Sequence, residues 1–352
     1  MSVKLKPLKQ QTIVIMGASS GIGLATARMA CKRGANVVLV SRNGEALENI
    51  CNDLRREGGR ADFIVADVGV REQVRNVVET VISRHGGFDT WINNAGVGVY
   101  ARIEDTTDED HERIFQTNYW GVVYGCTEAL KHLRKRGGAL INTGSISSDI
   151  PAPVLGIYTA TKHAVKGFTN SLRLELNHDN APVSLTLIKP SGINTPFGDH
   201  ARNYMKHASQ VPPPVYSPKV VASAMLHAAE HPTRELVIGG SGASLISFVR
   251  FLPRVADRVL EKMFFKTAVD RDRPPRETES LHEAGDGGRT RGDQKGYTLK
   301  TSAYTSAKKH PGATLGIGLA TVAAVVAARQ LVADRNQNFI ERVSKRLPLP
   351  KD

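Results

Sequence analysis

Cysteine is scarce: Cys31, Cys51 and Cys126 are the only three in 352 residues, and no two have a paired spacing. That excludes a disulfide framework and the Cys-x-x-Cys pairs of a structural zinc site, so no metal is expected, and it suits a reducing compartment. An apolar leader is lacking as well. The amino terminus reads MSVKLKPLKQQ, and no secretory signal is expected. The net charge of +13 does not gather into one stripe; apart from modest clusters at Lys131 to Arg136 and in the last hundred residues, the basic side chains are scattered. This argues against a nucleic-acid partner and for attraction to anionic cofactor phosphates or to an anionic membrane. Long hydrophobic runs are rare too, with one uncharged stretch standing out at 311–328. The length fits one large α/β domain with an extension, or two domains.

What is present centres on Ser145, Tyr158 and Lys162, a hydroxyl, a phenol and an amine within eighteen residues. From Ile157 onward Ala160, Ala164, Phe168, Leu172 and Leu176 keep helical spacing, which sets Tyr158 and Lys162, four apart, on one helix face. Ser145 follows the apolar run 139–143, read as a buried strand. It therefore falls at a strand's carboxyl end, where open α/β sheets place their ligands. A phenol with a pKa of about 10 is a poor acid-base group near neutral pH. An ammonium about 4 Å away contributes about 4 kcal/mol at an effective dielectric of about 20, enough to bring the phenol near 7. Ser145 would then hold a substrate carbonyl. For the triplet taken alone, a solvated lysine and a chance Tyr-x-x-x-Lys pattern remain the rival reading.

The run Thr12 to Met16 reads as a strand, followed by Gly17-Ala-Ser-Ser-Gly21-Ile-Gly23 and a helix to about Arg33. Strand, glycine turn and helix start form a phosphate-binding context: Gly17 for the turn, Gly21 for close backbone approach, Gly23 for packing. The next strand, Asn36 to Val40, ends in Ser41-Arg42, a hydroxyl and a guanidinium where an NAD site would carry an acid. That pair favours an adenosine 2'-phosphate, hence NADP over NAD, against a merely solvated Arg42. Asp67, with Val68 beside it, ends a further strand and either meets an adenine amine or caps the next helix. Asn93-Asn94-Ala95-Gly96 ends the following strand. Asn118, set among Phe115, Tyr119, Trp120 and Val122, is either a satisfied core amide or the holder of a water beside Lys162.

Taken together, residues 12 to about 240 resemble the short-chain dehydrogenase/reductases: Gly17-x-x-x-Gly21-x-Gly23, Asp67, Asn93-Asn94-Ala95-Gly96, Asn118, Ser145, Tyr158-x-x-x-Lys162, and Pro190 with Thr195. The resemblance implies an α/β, Rossmann-type, doubly wound, seven-stranded parallel sheet. It implies a catalytic tetrad of Asn118, Ser145, Tyr158 and Lys162, with Tyr158 as proton donor or acceptor. For NADP(H) it implies a site made by Gly17, Ser19, Ser20, Gly21, Ile22, Gly23, Ser41, Arg42, Asp67, Val68, Asn94, Ala95, Gly96, Tyr158, Lys162, Pro190, Ile193 and Thr195. Related enzymes are dimers or tetramers, so a homo-oligomer is expected. Two departures stand out: Met16 replaces the usual threonine before the glycine turn, and Ser191 the usual glycine after Pro190.

Phe197 to Pro218, with Tyr204, Met205, Val211, Val215 and Tyr216, reads as the wall of a hydrophobic substrate site or as a packed lid. A helix from Pro218 to Glu230 and a strand from Glu235 to Ile238 complete a catalytic domain spanning 1–240. Residues 241–266 form a basic amphipathic helical segment, for an anionic membrane surface or for covering the cleft or a subunit interface, with Pro253 marking a break or helix start. Residues 267–307 read as a poorly ordered polar linker. An apolar helix at 308–335 would anchor in a membrane, leaving the catalytic domain cytoplasmic, or pack as a buried oligomerising helix. A basic tail, 336–352, follows. The expected activity is NADP(H)-dependent interconversion of a carbonyl and a secondary alcohol on a hydrophobic small molecule. The alternatives are a catalytically silent NADP-binding or scaffolding protein, and an epimerase or dehydratase on the same fold.

Overall fold

The structure, a computed structural model, describes residues 3–275, 279–294, 296–310 and 314. The chain divides into two units, Met1–Thr305 and Ser306–Asp352, and the sheet and both clefts lie in the first. Seven strands build the sheet: β1 (Thr12–Met16), β2 (Asn36–Ser41), β3 (Arg60–Val65), β4 (Thr90–Asn93), β5 (Gly138–Thr143), β6 (Val183–Pro190) and β7 (Glu235–Ile238). They run parallel in the order β7-β6-β5-β4-β1-β2-β3, with Val14 opposite Val38 on one side and Trp91 on the other. The chain thus winds outward from β1 to β3, then crosses to β4 and winds the other way. A crevice opens at that switch point, beyond the carboxyl ends of β1 and β4.

The alternation along β1 explains the layers. Ile13 and Ile15 enter a core shared with Leu24 and Ala27 of α1 (Gly21–Lys32), Leu47 and Ile50 of α2 (Gly44–Arg56), and Met225 of α8 (Pro218–Glu230). Val14 and Met16 enter the opposite core, with Val74 and Val78 of α3 (Arg71–His85), Leu130 of α5 (Gly121–Arg136) and Leu172 of α6 (Gly156–His178). A strand covered on both faces has to be apolar at every position, and each such side chain contributes about 1.5–3 kcal/mol on burial.

Two features differ from the sequence reading, the stretch from Asp108 and the stretch 267–307, and a third, at Pro253, is one that the reading had left open as a break or a helix start. The helical stretch from Asp108 is two helices, α4 (Asp108–Phe115) and α5, joined by a π turn at Gln116–Trp120 that carries Asn118. Residues 241–266 form α9 (Gly240–Phe251) and α10 (Pro253–Thr267), broken at Leu252 because Pro253, lacking an N–H, is tolerated only in a first turn. The polar stretch 267–307 is packed where it is described: Val269–Asp270 pairs with Ala208–Ser209, and Thr298–Leu299 with Val215–Tyr216. Its order comes from contacts with distant residues, which composition does not record.

Ala256, Leu260 and Phe264 bury the inner face of α10. Its outer face leaves Val255 and Val259 about half exposed, beside exposed Arg254, Arg258, Lys262 and Lys266. Among the described residues no helix is long and apolar enough to cross a membrane. The apolar run expected at 311–333 lies, Thr314 apart, outside the described residues, as does the tail 336–352.

Candidate active site

The glycine turn after β1 is held by three hydrogen bonds. Gly17 and Ala18 donate to Val40 O at 2.8 and 3.0 Å, and Asn94 Nδ2 donates to Gly17 O at 2.8 Å. Gly17 has φ +83°, and a Cβ on Gly23 would stand 1.9 Å from Gly17 O, so α1 could not approach the turn with any larger residue there. Ser20, the N-cap of α1, makes no side-chain cap bond, so the positive end of the helix faces the crevice with its hydroxyl uncommitted to capping.

A cleft of about 190 Å³ runs from this turn across the sheet edge. Gly17, Ser19, Ser20, Gly21 and Ile22 line one end, Ser41, Arg42, Asp67 and Val68 another, and Asn94, Ala95, Gly96 and Thr195 the floor. Asp67 does not cap α3, whose N-cap is Val70; its Oδ1 accepts from Gly69 N at 2.8 Å and its Oδ2 pairs with Arg113 at 2.7 Å.

A second cavity of about 360 Å³ adjoins the first through Ile22, Asn94, Gly96 and Thr195. Ser145, Tyr158, Lys162, Pro190 and Ile193 all line it, so the strand-end serine and the helix-face pair do converge. Ser145 caps the 3-10 turn Ile146–Ser148: its Oγ accepts from Ser147 N at 3.1 Å and its N–H donates to Ser148 Oγ at 3.2 Å. Just beyond, Asp149 is gripped by Lys166 and by Lys189 at 2.7 Å, which ties the serine loop to α6 and β6. Burial disfavours the Asp149 carboxylate, but the hydrogen bonds from the two lysines outweigh it and its pKa is lowered.

Tyr158 lies beside Ser145, and its ring lies 5.2 Å from that of Phe197. Lys162, 3% exposed, donates to Thr143 O at 2.9 Å, with Nζ 5.5 Å from the centre of the Tyr158 ring. Burial dominates both groups. It pushes the phenol up to about 12, against the pull of the Ser145 hydroxyl, and draws the lysine down to about 8. The expected depression of the tyrosine by its neighbour is therefore absent from this state of the protein. Helical spacing set the two groups on one face of α6, in a site dry enough for desolvation to set the direction of both shifts.

Asn118 lines neither space. Its Oδ1 accepts from Val97 N, and its Nδ2 donates to Val97 O, both at 2.9 Å, with Thr161 Oγ1 at 3.2 Å. The side chain is the satisfied core amide of the two sequence readings, and it fixes the loop that follows Gly96.

A segment that the sequence reading missed crosses the first cleft. Residues 279–294 form a strap: Gly21 N donates to Arg289 O and Gly288 N to Ser19 O, both at 2.9 Å. The Arg42 guanidinium donates to the carbonyls of Ser280, Leu281 and His282 at 2.5, 3.3 and 3.2 Å, and Asn43 Nδ2 to Gly285 O at 3.0 Å. Arg42 is thus neither solvated nor free toward the cleft.

Comparison with known proteins decides the family. A family profile described as short chain dehydrogenase matches residues 11–206. An uncharacterized oxidoreductase of Bacillus subtilis, YxnA, is 44% identical over 331 residues, 93% of each chain. The chain belongs to the short-chain dehydrogenase family. A relative from Bacteroides thetaiotaomicron named 3-ketodihydrosphingosine reductase is 37% identical over 194 residues, covering 55% of this chain and 68% of its own. Among solved structures, an alcohol dehydrogenase of Thermococcus sibiricus complexed with 5-hydroxy-NADP is 27% identical with a TM-score of 0.57, over 65% of this chain and 95% of its own.

Most of the rest of the dehydrogenase's second cavity is apolar, walled by Tyr100, Leu155, Phe197, Leu245, Met263 and Phe264, with Ser147, Ser191 and Ser241 among them. Leu245, Met263 and Phe264 come from α9 and α10, so the extension completes this space. Their signal in the sequence was the amphipathic segment 241–266, for which covering the cleft was one reading beside a subunit interface and a membrane surface. Val211 and the three prolines 212–214 also line the cavity, whereas Tyr204, Met205, Val215 and Tyr216, read as part of the same wall, do not.

Proposed function

We propose that this dehydrogenase is an NADP(H)-dependent oxidoreductase that interconverts a carbonyl and a secondary alcohol on an apolar small molecule. The observation that carries the reading is a cavity in which Ser145, Tyr158 and Lys162 meet, adjoining a glycine-lined cleft that ends at Arg42. The donor set fits a phosphorylated dinucleotide: a helix N-terminus behind a glycine turn for a pyrophosphate, and a hydroxyl and guanidinium at the end of β2 for a 2'-phosphate. The Thermococcus structure, complexed with 5-hydroxy-NADP, supports a nicotinamide coenzyme. When bound, the coenzyme supplies the hydride for reduction and accepts it in oxidation.

The chain's own residues handle orientation and the proton. Ser145 donates to the substrate oxygen and fixes its position beside the Tyr158 hydroxyl. With its pKa pushed to about 12, Tyr158 is fully protonated at neutral pH and serves as the donor to the developing alkoxide. Lys162, with Nζ 5.5 Å from the centre of the ring, then stabilises the phenolate that remains. Asn118 acts by positioning the loop at Val97. The apolar walls select the substrate class, and the relative named as a keto reductase supports a carbonyl as the reacting group. The test is consumption of NADPH and of NADH, followed by absorbance, across a panel of aliphatic and alicyclic ketones and their alcohols. Turnover with NADPH on apolar ketones is expected; turnover confined to NADH, or to charged substrates, contradicts the reading.

A further inference from the structure

The strap and a phosphorylated coenzyme make claims on the same donors. Gly21 N–H, at the start of α1, is where a pyrophosphate would be received, and it is spent on Arg289 O. Arg42, the candidate 2'-phosphate ligand, is spent on three consecutive main-chain carbonyls, 280–282. Between these two points Ala284, Gly285 and Asp286 line the cleft, so the strap also brings a carboxylate into a space otherwise suited to anions. The volume left is about 190 Å³, below the roughly 300–1,000 Å³ of clefts that enclose drug-sized ligands.

The strap is also anchored. Leu281 is fully buried in a cluster with Val97, Val99, Ala101, Ile114 and Ile157, and Gln294 exchanges two hydrogen bonds with the Val211 main chain at 2.7 and 3.0 Å. Ser280 N donates to His200 O at 2.8 Å, and Gly292 N to Asn194 Oδ1 at 3.1 Å. A tail lying loosely in a groove would show no such pattern of a buried apolar anchor and paired main-chain bonds at both ends.

We infer that residues 280–289 are an intrasteric strap, which holds the phosphate-binding donors of the coenzyme cleft and has to be displaced before the adenosine half of the coenzyme is seated. This rests on the proposed NADP(H) reading of that cleft. Because only the competent fraction of the protein binds, the apparent coenzyme affinity is reduced by the fraction in which the strap is closed, and whatever loosens the strap raises it. The inhibitory contacts are made by backbone carbonyls and a carboxylate. They leave Ser145, Tyr158 and Lys162 untouched, so the device acts on coenzyme entry and not on the chemical step.

The test uses the full chain and reads binding, not turnover. Gly288 has φ +82° and a Cβ there would touch nothing, so Gly288→Ala strains the closed strap alone. Leu281→Ala removes the buried anchor by a second route. NADPH binding, followed by its fluorescence, is expected to tighten by about fivefold or more in Gly288→Ala and to tighten in Leu281→Ala as well. In hydrogen exchange, addition of NADPH to the parent chain should speed exchange of the amides of 280–289. Unchanged affinity in both variants, with the parent binding NADPH, overturns the strap and leaves the coenzyme reading standing. Weaker binding in both, with slower exchange of 280–289, overturns it in another way, since the segment would then be a wall of the coenzyme site. No binding by any of the three chains would overturn the coenzyme reading and the strap with it.

Discussion

Replacing Lys162 by methionine separates the stability of the fold from its chemistry. Burial draws this ammonium from 10.5 to about 8. At about 1.36 kcal/mol per pH unit, keeping the charge inside disfavours the folded state by about 3 kcal/mol. The unfolded chain keeps the ordinary lysine value. Between about pH 8 and 10.5 it therefore binds more protons than the folded chain, and stability rises with pH through that window; below about pH 8 the full penalty applies. Methionine approximates the volume without the charge but leaves Thr143 O without the lysine as donor, a loss of about 1 kcal/mol or more. Lys162→Met is thus expected to be more stable than the parent by about 1–2 kcal/mol at neutral pH, and to lose that advantage by about pH 10. Turnover should fall by about 100-fold or more, because the phenolate loses its counter-charge. Urea unfolding of both chains without coenzyme, at about pH 7, 8.5 and 10, measures the gap. A gap that does not change with pH refutes the electrostatic reasoning, whatever happens to activity.

Gly23→Ala places a methyl 1.9 Å from Gly17 O and 2.8 Å from Asn94 Nδ2, so a loss of about 1–3 kcal/mol in thermal unfolding and weakened NADPH binding are expected; an unperturbed variant would contradict the packing assigned to the glycine turn. Arg42→Ala should shift the ratio of kcat/KM for NADPH to that for NADH about 10-fold or more toward NADH, since one charge-assisted phosphate contact is lost while the loosened strap acts on both coenzymes alike; an unchanged ratio would remove Arg42 from the choice between them. The outer face of α10, apolar at Val255 and Val259 and cationic at Arg258, Lys262 and Lys266, should bring the full chain down with anionic vesicles more than with neutral ones. Arg258→Glu with Lys262→Glu should lower the sedimented fraction, and unchanged sedimentation counts against a membrane role for this helix.

The parts of the site legible in the sequence are those whose geometry is local. Gly17, Gly21 and Gly23 follow a strand and open a helix, and the structure sets them in a turn held by Val40 and Asn94. Tyr158 and Lys162 share a helix face because of their spacing, and Ser145 reaches them because β5 ends beside α6. What was not legible depends on surroundings. Spacing places an ammonium near a phenol but says nothing of the water around them, and it is the burial of Tyr158 itself that reverses the expected direction there. The side chain of Asn118 is settled by the peptide at Val97, which lies in another loop. The strap is the extreme case. Its composition is that of a solvated linker, its single buried apolar anchor is Leu281, and its order lies in main-chain bonds to residues some 240 positions away, such as those between Arg42 and 280–282.

The central claim is that Tyr158 gives the proton, and it is tested most directly with Tyr158→Phe. The phenylalanine ring keeps the contact with Phe197 and removes only the hydroxyl. With the parent shown to oxidise NADPH on an apolar ketone, the variant should bind NADPH with little change and reduce the same ketone more slowly by about 10²- to 10⁴-fold, the usual contribution of a positioned acid. Reduction within about threefold of the parent rate, at unchanged NADPH affinity, would mean that the proton comes from elsewhere and would contradict the account.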